Sequence, residues 1–239
     1  MLIKTEGIVL SSLKYGEADL IVKCFTKKYG LKSYWLPNIL KAKKAKIRAS
    51  SFQPLAQLHI EAFHKDKGGL ERIKDVKLAY PFKSMHLDVK KGAIVFFIAD
   101  VLRYAIQEEE ENSLLFDFLQ NSIQWLDTAN YAPNFHLLFL VKLTKYLGFY
   151  PDIQSLNLDY FNLLEGTFEN NDTNIHCTSG PEVTSLKQLL GTEFDELVHI
   201  KSNQEQRADV LTMLLRYYQL HLHGFKKPKS LAVLNAIFS

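Results

Sequence analysis

The spacing of apolar residues changes once along the chain, close to Pro81, and this change limits the folds that the sequence can adopt. Before it, apolar and polar residues alternate, and Leu58, Ile60 and Ala62 each stand between polar neighbours. Alternation brings every second side chain to the same face of a β-strand. Residues 1–80 are therefore predicted to form strands that bury one face.

The N-terminal segment contains about five such short strands, joined by turns with glycine at 15–19, 27–30 and 66–69. A longer basic connection separates the third strand from the fourth. Five strands in a segment of this length suggest a small closed barrel. The OB-fold is a five-stranded barrel that binds oligonucleotides on a strand face and its loops, and we predict an OB-fold over residues 1–80.

Further along the chain, the apolar residues follow a helical period instead. Ile94, Phe97 and Val101 have the i, i+3, i+7 spacing of one helical face. A short β excursion is expected at about 158–178. The predicted fold class is thus α+β with more than one domain, an OB barrel followed by an all-α domain over 81–239. Further helices are indicated at 112–126, 133–149, 184–190, 206–224 and 229–238.

Positive charge is concentrated in the N-terminal part of the chain. Residues 1–80 carry sixteen Lys and Arg against seven Asp and Glu, a net charge of +9, whereas the remainder carries 13 against 19, a net charge of −6. No acidic residue lies between Asp19 and Glu61, a stretch with nine basic residues. Such a field attracts polyanions, nucleic acid among them. The densest part of it contains Lys41, Lys43, Lys44, Lys46 and Arg48.

Aromatic residues are interleaved with these basic residues, and they are Phe25, Tyr29, Tyr34, Trp35 and Phe52. Ring faces can stack on unpaired bases while ammonium groups follow the phosphates, which favours nucleic acid as the ligand. Aromatic residues in strands also fill barrel cores, so the sequence leaves open which rings face bases. The lysines have two simpler interpretations, a solvated basic face or a sheet edge protected against aggregation.

The chain lacks the motifs of several common enzyme classes. It has no phosphate-binding G-x-x-x-x-G-K-[ST] loop, no G-x-S-x-G nucleophile turn and no H-E-x-x-H or C-x-x-C pair. A kinase, a motor, a serine hydrolase and a zinc protease are therefore disfavoured. We predict a protein that is not an enzyme.

Groups of potential metal ligands lack the geometry of a site. Glu108–Glu111 are consecutive, and helix neighbours 100° apart do not converge on one ion. His176 and Cys177 are both ligand types, but a structural zinc takes four ligands and no second pair has suitable spacing. His221 and His223 point to different helix faces. We predict no catalytic residue, no metal and no cofactor.

Cysteine content and hydropathy indicate a cytoplasmic protein. With only Cys24 and Cys177, a disulfide framework is not expected and a reducing compartment is the default. The longest apolar run, 93–99, falls well short of the ~20 residues that span a membrane. The N-terminus carries polar residues where a secretory signal would carry its apolar stretch.

Four motifs, taken in order, resemble those of the bacterial RecO family of recombination mediators. They are YGEAD at 15–19, FTKKYG at 25–30, LGF at 147–149 and PKS-x-x-VL at 228–234. The resemblance implies an OB-fold, a helical domain and, in some members, a four-cysteine zinc module after the LGF segment. It also implies that the basic connection binds DNA. The predicted DNA-binding residues are Lys41, Lys43, Lys44, Lys46, Arg48, Lys27 and Lys28.

Two features depart from the family pattern. Many relatives carry a glycine and an arginine at the end of the third strand, where this chain has PNIL at 37–40. The cysteines of the zinc module are missing apart from Cys177. We therefore predict a metal-free variant in which the β excursion fills the place of that module.

The resemblance implies a mediator of recombinational repair. Such a protein binds single-stranded and duplex DNA, anneals complementary strands and helps load the RecA recombinase onto DNA covered by single-strand-binding protein. It works with RecR at the nucleoid, and participation of RecF is left open. In relatives the acidic tail of single-strand-binding protein docks on the helical domain. We expect that tail at Lys142 and Lys145, although a core helix with two solvated lysines is an equal alternative.

Two other functions stay open at this stage. The first is an OB-fold protein that binds structured RNA, which would prefer RNA over single-stranded DNA. The second is a protein adaptor whose basic loop docks an acidic partner, which would have no affinity for DNA at moderate salt. An enzymatic function ranks below both.

Overall fold

Five strands at the N-terminal end of the chain close into a barrel. Around the barrel the strand order is β1-β2-β3-β5-β4, and β1 pairs with both β2 and β4. All neighbouring pairs are antiparallel except β3 and β5, which are parallel. The OB-like barrel expected from the alternating pattern is confirmed. The strands are β1 (Leu2–Tyr15), β2 (Asp19–Thr26), β3 (Gly30–Leu36), β4 (Gln57–Phe63) and β5 (Leu70–Leu78).

The computed structural model describes residues 1–41, 47–65, 69–85, 87–130 and 133–238. These residues form two compact units, Met1–Asp127 and Thr128–Ser239. The domain boundaries predicted from the sequence, 1–80 and 81–239, remain a prediction.

Strand β1 bends, and this allows it to pair with both β2 and β4. Its register with β2 shifts between Val9 and Ser11. A bulge of this kind bends a strand and increases its twist. Residues Leu2 to Ile8 therefore pair with β4, while the strand continues to Tyr15 along β2.

The inward-facing residues of the strands fill the barrel. Val22, Cys24, Tyr34 and Leu58 are fully buried, and Ile60 nearly so. Burial raises the pKa of the Cys24 thiol, which stays protonated and acts as a small apolar core residue.

Two helices belong to the same compact unit as the barrel. Their first turns are capped by side chains, because the Asp88 carboxylate accepts the Lys90 and Lys91 N–H groups and the Asn112 amide oxygen accepts the Leu115 N–H. The helices are α1 (Val89–Ala105) and α2 (Ser113–Thr128).

Asp127, near the end of α2, holds the connection that leads from the barrel into α1. Its buried carboxylate accepts backbone N–H groups from Lys83, Ser84 and Met85, with distances from 2.8 to 3.1 Å. The Lys91 ammonium donates to the Asp127 carbonyl at 2.9 Å. Burial alone would raise the pKa of Asp127, but the backbone donors outweigh it and hold that pKa below its usual range.

The second unit consists of helices around a central helix, α3, with a small sheet. Nine of the thirteen residues of α3 are buried, and the helix ends at Gly148, whose φ of +85° gives a left-handed cap. The Tyr218 hydroxyl donates to the Leu140 carbonyl at 2.8 Å and fixes α5 against α3. The predicted helical domain with a β excursion is confirmed. The elements are α3 (Phe135–Leu147), β6 (Tyr160–Asn162), β7 (Thr167–Glu169), β8 (Cys177–Ser179), α4 (Pro181–Leu190), α5 (Gln204–His221) and α6 (Leu231–Phe238).

Within the described ranges, no helix combines the length and apolar character needed to cross a bilayer. Across the same part of the chain, no three His, Cys, Asp or Glu side chains converge as metal ligands would. In the small sheet, Cys177 lies beside Thr173 and Glu169, and the Thr173 Oγ1 to Cys177 Sγ distance is 3.3 Å. His221 is a satisfied residue, since its Nε2 lies 3.0 Å from the Leu163 carbonyl.

Candidate nucleic-acid interface

A row of side chains crosses the outer face of the barrel. Leu13 on β1 pairs with Ile21 on β2, which in turn pairs with Trp35 on β3. Trp35 pairs with Arg72 on β5. Because the neighbouring Tyr34 points into the core, this row points outward, and Leu13, Trp35 and Arg72 are exposed. The row therefore presents apolar surface, one indole ring and one guanidinium to solvent.

A second cation lies diagonally beside the ring. Lys23 on β2 pairs with Ser33 on β3, two residues before Trp35. Diagonal neighbours on one sheet face lie about 7–8 Å apart, within reach of long side chains. Trp35 thus stands between Lys23 and Arg72 on the same face.

Hydrogen bonds hold the indole of Trp35 in place. Its Nε1–H donates to one oxygen of the Asp19 carboxylate at 2.9 Å, and the Asn38 backbone N–H donates to the other at 2.8 Å. The edge of the ring is fixed in this way, while Trp35 remains 37% exposed. A fixed and exposed aromatic ring is a surface on which an unpaired base can stack.

The other four rings of the basic segment are less accessible to solvent than Trp35. The sequence left open which rings could face bases, and accessibility favours Trp35. Phe25, Tyr34 and Phe52 are buried, and Tyr29 is half-buried with an edge contact to the His64 ring. Burial raises the pKa of the Tyr34 hydroxyl, which also contacts His64. Of the five rings, Trp35 alone is exposed on the outer face.

The basic connection begins next to this face. The Leu40 N–H donates to the Ala18 carbonyl at 2.9 Å, which ties the start of the connection to the turn between β1 and β2. Lys41 forms an ion pair with Glu17 at 2.9 Å, and both side chains are mostly exposed. Exposed pairs of this kind contribute little, so Lys41 can exchange Glu17 for a phosphate. Arg48 is exposed, while the predicted DNA-binding residues Lys43, Lys44 and Lys46 lie outside the described residues.

The turn between β2 and β3 carries the other two predicted DNA-binding residues. Lys28 is exposed, whereas Lys27 forms an ion pair with Asp117 on α2 at 2.8 Å. The hydrogen bond to Asp117 raises the pKa of Lys27. Lys27 therefore already has an anionic partner within the protein.

A groove of about 440 Å³ is lined by residues of β1, β4 and β5 and by Lys27 and Lys28 of the turn between β2 and β3. Strand register places opposite charges next to each other in it, since Lys4 on β1 pairs with Glu61 on β4. Glu61 is also bound by Lys74, which lowers its pKa. Because carboxylates separate the lysines, this groove lacks the continuous positive field that a phosphate backbone requires. The face that carries Trp35 is the better candidate.

In the second unit, the predicted partner-binding lysines lie on the central helix. Lys142 forms an ion pair with Glu193 at 2.7 Å and lies 6.0 Å from the centre of the Phe194 ring. Lys145 is exposed. Because most of α3 is buried, the apolar residues around these lysines belong to the core, in line with the alternative that the sequence left open.

A small cavity of about 140 Å³ in the same unit combines a cation with apolar walls. Arg207 donates one guanidinium N–H to the Ser202 carbonyl at 2.7 Å, and its buried Nε has no hydrogen-bond partner among the described residues. The guanidinium lies 6.0 Å from the centre of the Phe238 ring. Nothing in the local sequence around Arg207 signals this site, because its walls come from three helices, α3, α5 and α6.

Comparison with known proteins covers nearly the whole chain. The family model described as Recombination protein O N terminal matches residues 1–82, and the one described as Recombination protein O C terminal matches residues 86–232. The chain is 51% identical over 238 residues to the DNA repair protein RecO of Christiangramia forsetii, with both chains covered completely. It is 47% and 40% identical over 242 residues to the proteins of that name from Flavobacterium johnsoniae and Bacteroides fragilis, again over the full length of each.

An OB-like barrel followed by a helical unit, together with these matches, defines a protein of DNA repair and recombination. The chain belongs to the RecO family. The resemblance inferred from its four short motifs is thereby confirmed.

Proposed function

We propose that this protein binds single-stranded DNA on the outer face of its barrel. Bases stack on Trp35, while Lys23, Arg72 and the basic connection at 41–48 contact phosphates. The observation that supports this most directly is the exposed, hydrogen-bonded ring of Trp35 between two cations. Neutralising phosphates releases counterions, so binding is independent of sequence and weakens steeply as salt rises.

The bound strand is then annealed to a complementary strand. Annealing requires two polyanions to approach, and the lysines at 41–48 reduce their repulsion without selecting a sequence. No covalent step is needed, so the protein acts without catalysis and without a cofactor. With RecR as its partner, it helps load RecA onto DNA covered by single-strand-binding protein, in the bacterial cytoplasm and at the nucleoid.

The acidic tail of single-strand-binding protein docks on the helical unit. Lys142 and Lys145 remain one candidate site, and the cavity beside Arg207 is a second. At the second site a carboxylate would reach the guanidinium while an apolar side chain would contact Phe238. Binding of a synthetic acidic peptide distinguishes the two sites. Arg207→Glu should abolish binding if the peptide docks in the cavity, whereas the double variant Lys142→Glu, Lys145→Glu should abolish it if the peptide docks on α3.

Fluorescence anisotropy of a labelled single-stranded oligonucleotide tests the DNA-binding proposal. The variant carries Lys43→Glu, Lys44→Glu, Lys46→Glu and Arg48→Glu, and titrations are run at several salt concentrations. A matched control reverses four exposed basic residues of the second unit, Lys201, Lys226, Lys227 and Lys229. Wild type and control should bind with the same steep salt dependence, and the variant should lose most of it.

The same titrations separate the alternative functions. A preference for structured RNA over single-stranded DNA would favour an RNA-binding OB protein. Loss of all DNA binding at moderate salt would favour an adaptor that docks an acidic protein. Cleavage of DNA that depends on a divalent metal would indicate an enzyme.

A further inference from the structure

Four consecutive glutamates lie against the end of the β2–β3 hairpin. We call this segment, Glu108–Glu111, the acidic strap. The Leu31 backbone N–H donates to the Glu108 carbonyl at 3.1 Å, so the strap is joined to the first residues of β3 by a main-chain hydrogen bond. The strap is thus a docked part of the barrel unit, whereas its sequence alone indicates a solvated helix end.

The approach of the strap to the hairpin depends on a glycine. Gly30 has a φ of +59°, and a Cβ at this position would lie only 2.3 Å from the Glu110 carbonyl oxygen. A side chain at this position would collide with strap backbone, which cannot give way as a flexible side chain would. Gly30 therefore permits both the turn and the contact.

Acidic side chains bind the basic residues of this hairpin directly. Glu109 forms an ion pair with Lys32 at 3.0 Å, and Asp117, a few residues beyond the strap, forms one with Lys27 at 2.8 Å. Lys32 is 18% exposed whereas Glu109 is 65% exposed, so the carboxylate covers the lysine from the solvent side. The remaining strap residues are exposed.

This arrangement places carboxylates at the start of β3, the strand that also carries Trp35. Five residues along β3 separate Trp35 from Gly30, or about 16 Å at ~3.3 Å per residue. Gly30 and Lys32 point to the opposite face of β3 from Trp35, so a DNA strand stacked on Trp35 meets the strap only where it passes round the hairpin end. Exposed ion pairs are individually weak and exchange their partners, so phosphates and carboxylates can replace each other on the same ammonium groups.

We propose that the acidic strap competes with nucleic-acid phosphates for Lys32, and so sets whether a bound strand engages this lysine at the hairpin end. This inference rests on the proposed DNA binding by the barrel. In the free protein the strap covers the hairpin, and DNA binds first at Trp35 and the basic connection. Displacing the strap extends the contact, whereas its return weakens the contact and favours release of the strand.

The test compares two full-length variants with the same change in net charge. The strap variant carries Glu108→Gln, Glu109→Gln, Glu110→Gln and Glu111→Gln. The control carries Glu165→Gln, Asp172→Asn, Glu205→Gln and Asp209→Asn, all at exposed positions of the second unit. Anisotropy with one labelled single-stranded oligonucleotide gives the affinity and its salt slope, and thermal unfolding checks that each variant is folded.

The strap variant should bind about tenfold more tightly at low salt. Its salt slope should be steeper by about 0.7, because one more lysine, Lys32, reaches a phosphate and each contact on a single strand contributes about 0.7. The control should keep the wild-type slope. Adding Lys32→Gln to the strap variant should return the slope to that of wild type. The single variant Glu109→Gln removes the one carboxylate that is paired with Lys32 and should steepen the slope by a similar amount.

Equal slopes in the strap variant and the control, with wild type binding DNA, would overturn the competition and leave the proposed function intact. Failure of every variant and of wild type to bind single-stranded DNA would overturn both. The two failures are therefore distinguishable in one set of titrations.

Discussion

The indole N–H of Trp35 donates to the carboxylate of Asp19 at 2.9 Å, so the end of β3 is joined to the start of β2 through side chains. This bond fixes the orientation of the exposed ring on the barrel. It also places a negative charge at the indole edge, away from the ring faces. Base stacking uses those faces, so the bond and a stacked base are compatible.

Replacing Trp35 with alanine should weaken binding of single-stranded DNA by at least about fivefold. Loss of one base-stacking contact costs about 1–3 kcal/mol. Because Trp35 is exposed, the free energy of unfolding should change little, by about 0.5 kcal/mol. Trp35→Phe serves as the matched control and should retain most of the affinity in the same anisotropy titration. Equal affinity of the alanine variant and wild type would remove Trp35 from the interface.

Gly30→Ala should destabilise the barrel unit more than Gly16→Ala does. The two glycines have nearly the same φ, +59° and +60°, but a Cβ at Gly16 meets nothing within 4 Å. The left-handed conformation costs alanine about 1–2 kcal/mol at either position. Only the Gly30 variant must also displace the strap, so we expect it to lose at least about 1 kcal/mol more. Urea denaturation of both variants gives the difference, and equal losses would mean that the strap yields freely.

The Gly30 variant also tests the strap independently of its charge. A displaced strap no longer covers Lys32, so Gly30→Ala should bind single-stranded DNA more tightly than Gly16→Ala at low salt. The comparison is made by anisotropy at a temperature where both variants are folded. Weaker binding by the Gly30 variant would argue that the strap supports the interface.

Asp127→Ala should unfold the connection between the barrel and α1. The buried carboxylate accepts three backbone N–H groups, and its loss leaves these donors without their partner. We expect a loss of about 3 kcal/mol in the free energy of unfolding. Hydrogen exchange at the Lys83, Ser84 and Met85 amides should rise in parallel. The control, Asp209→Ala at an exposed position, should change neither quantity.

The second unit should lose stability as the pH falls below about 6.5. Burial, and then the positive charge of Arg207, lower the pKa of His136 to about 3 from its ordinary 6.5. The unfolded chain therefore binds a proton that the folded unit excludes, and the stabilisation present above 6.5 is lost progressively as the pH falls towards 3. We expect a loss of about 2 kcal/mol between pH 7 and pH 5.

Urea denaturation at the two pH values measures this loss. His136→Leu should remove the part of the pH dependence that comes from this residue. His223→Gln, which changes an exposed histidine, should leave the pH dependence unchanged. The same pH dependence in wild type and in His136→Leu would show that His136 does not carry it.

Much of the fold follows from local patterns in the sequence. Period-two alternation identifies the barrel strands because their inward residues must all be apolar, and the helices follow from the 3.6-residue period. The order of the strands around the barrel can be expected only from the OB-fold, because alternation within a strand does not show which strands pair. Alternation also fails to show that α1 and α2 belong to the compact unit of the barrel, since that depends on contacts between distant segments.

The candidate site was predictable only in part. The excess of positive charge and the interleaved rings can be read from the sequence, but Tyr34 and Trp35 are neighbours on opposite faces of one strand. Only the structure, in which Tyr34 is buried and Trp35 is exposed, shows which ring faces outward. The docked position of the acidic strap does not follow from the sequence, because its contacts with Gly30 and Leu31 join segments about 80 residues apart.

Intrinsic fluorescence tests the proposed interface most directly. The chain has two tryptophans, Trp35 and Trp125, so Trp125→Phe leaves Trp35 as the single reporter. If bases stack on Trp35, titration with single-stranded DNA should quench its emission with the same midpoint and salt dependence as the anisotropy signal. Binding by anisotropy without any change in the Trp35 emission would contradict the proposed interface.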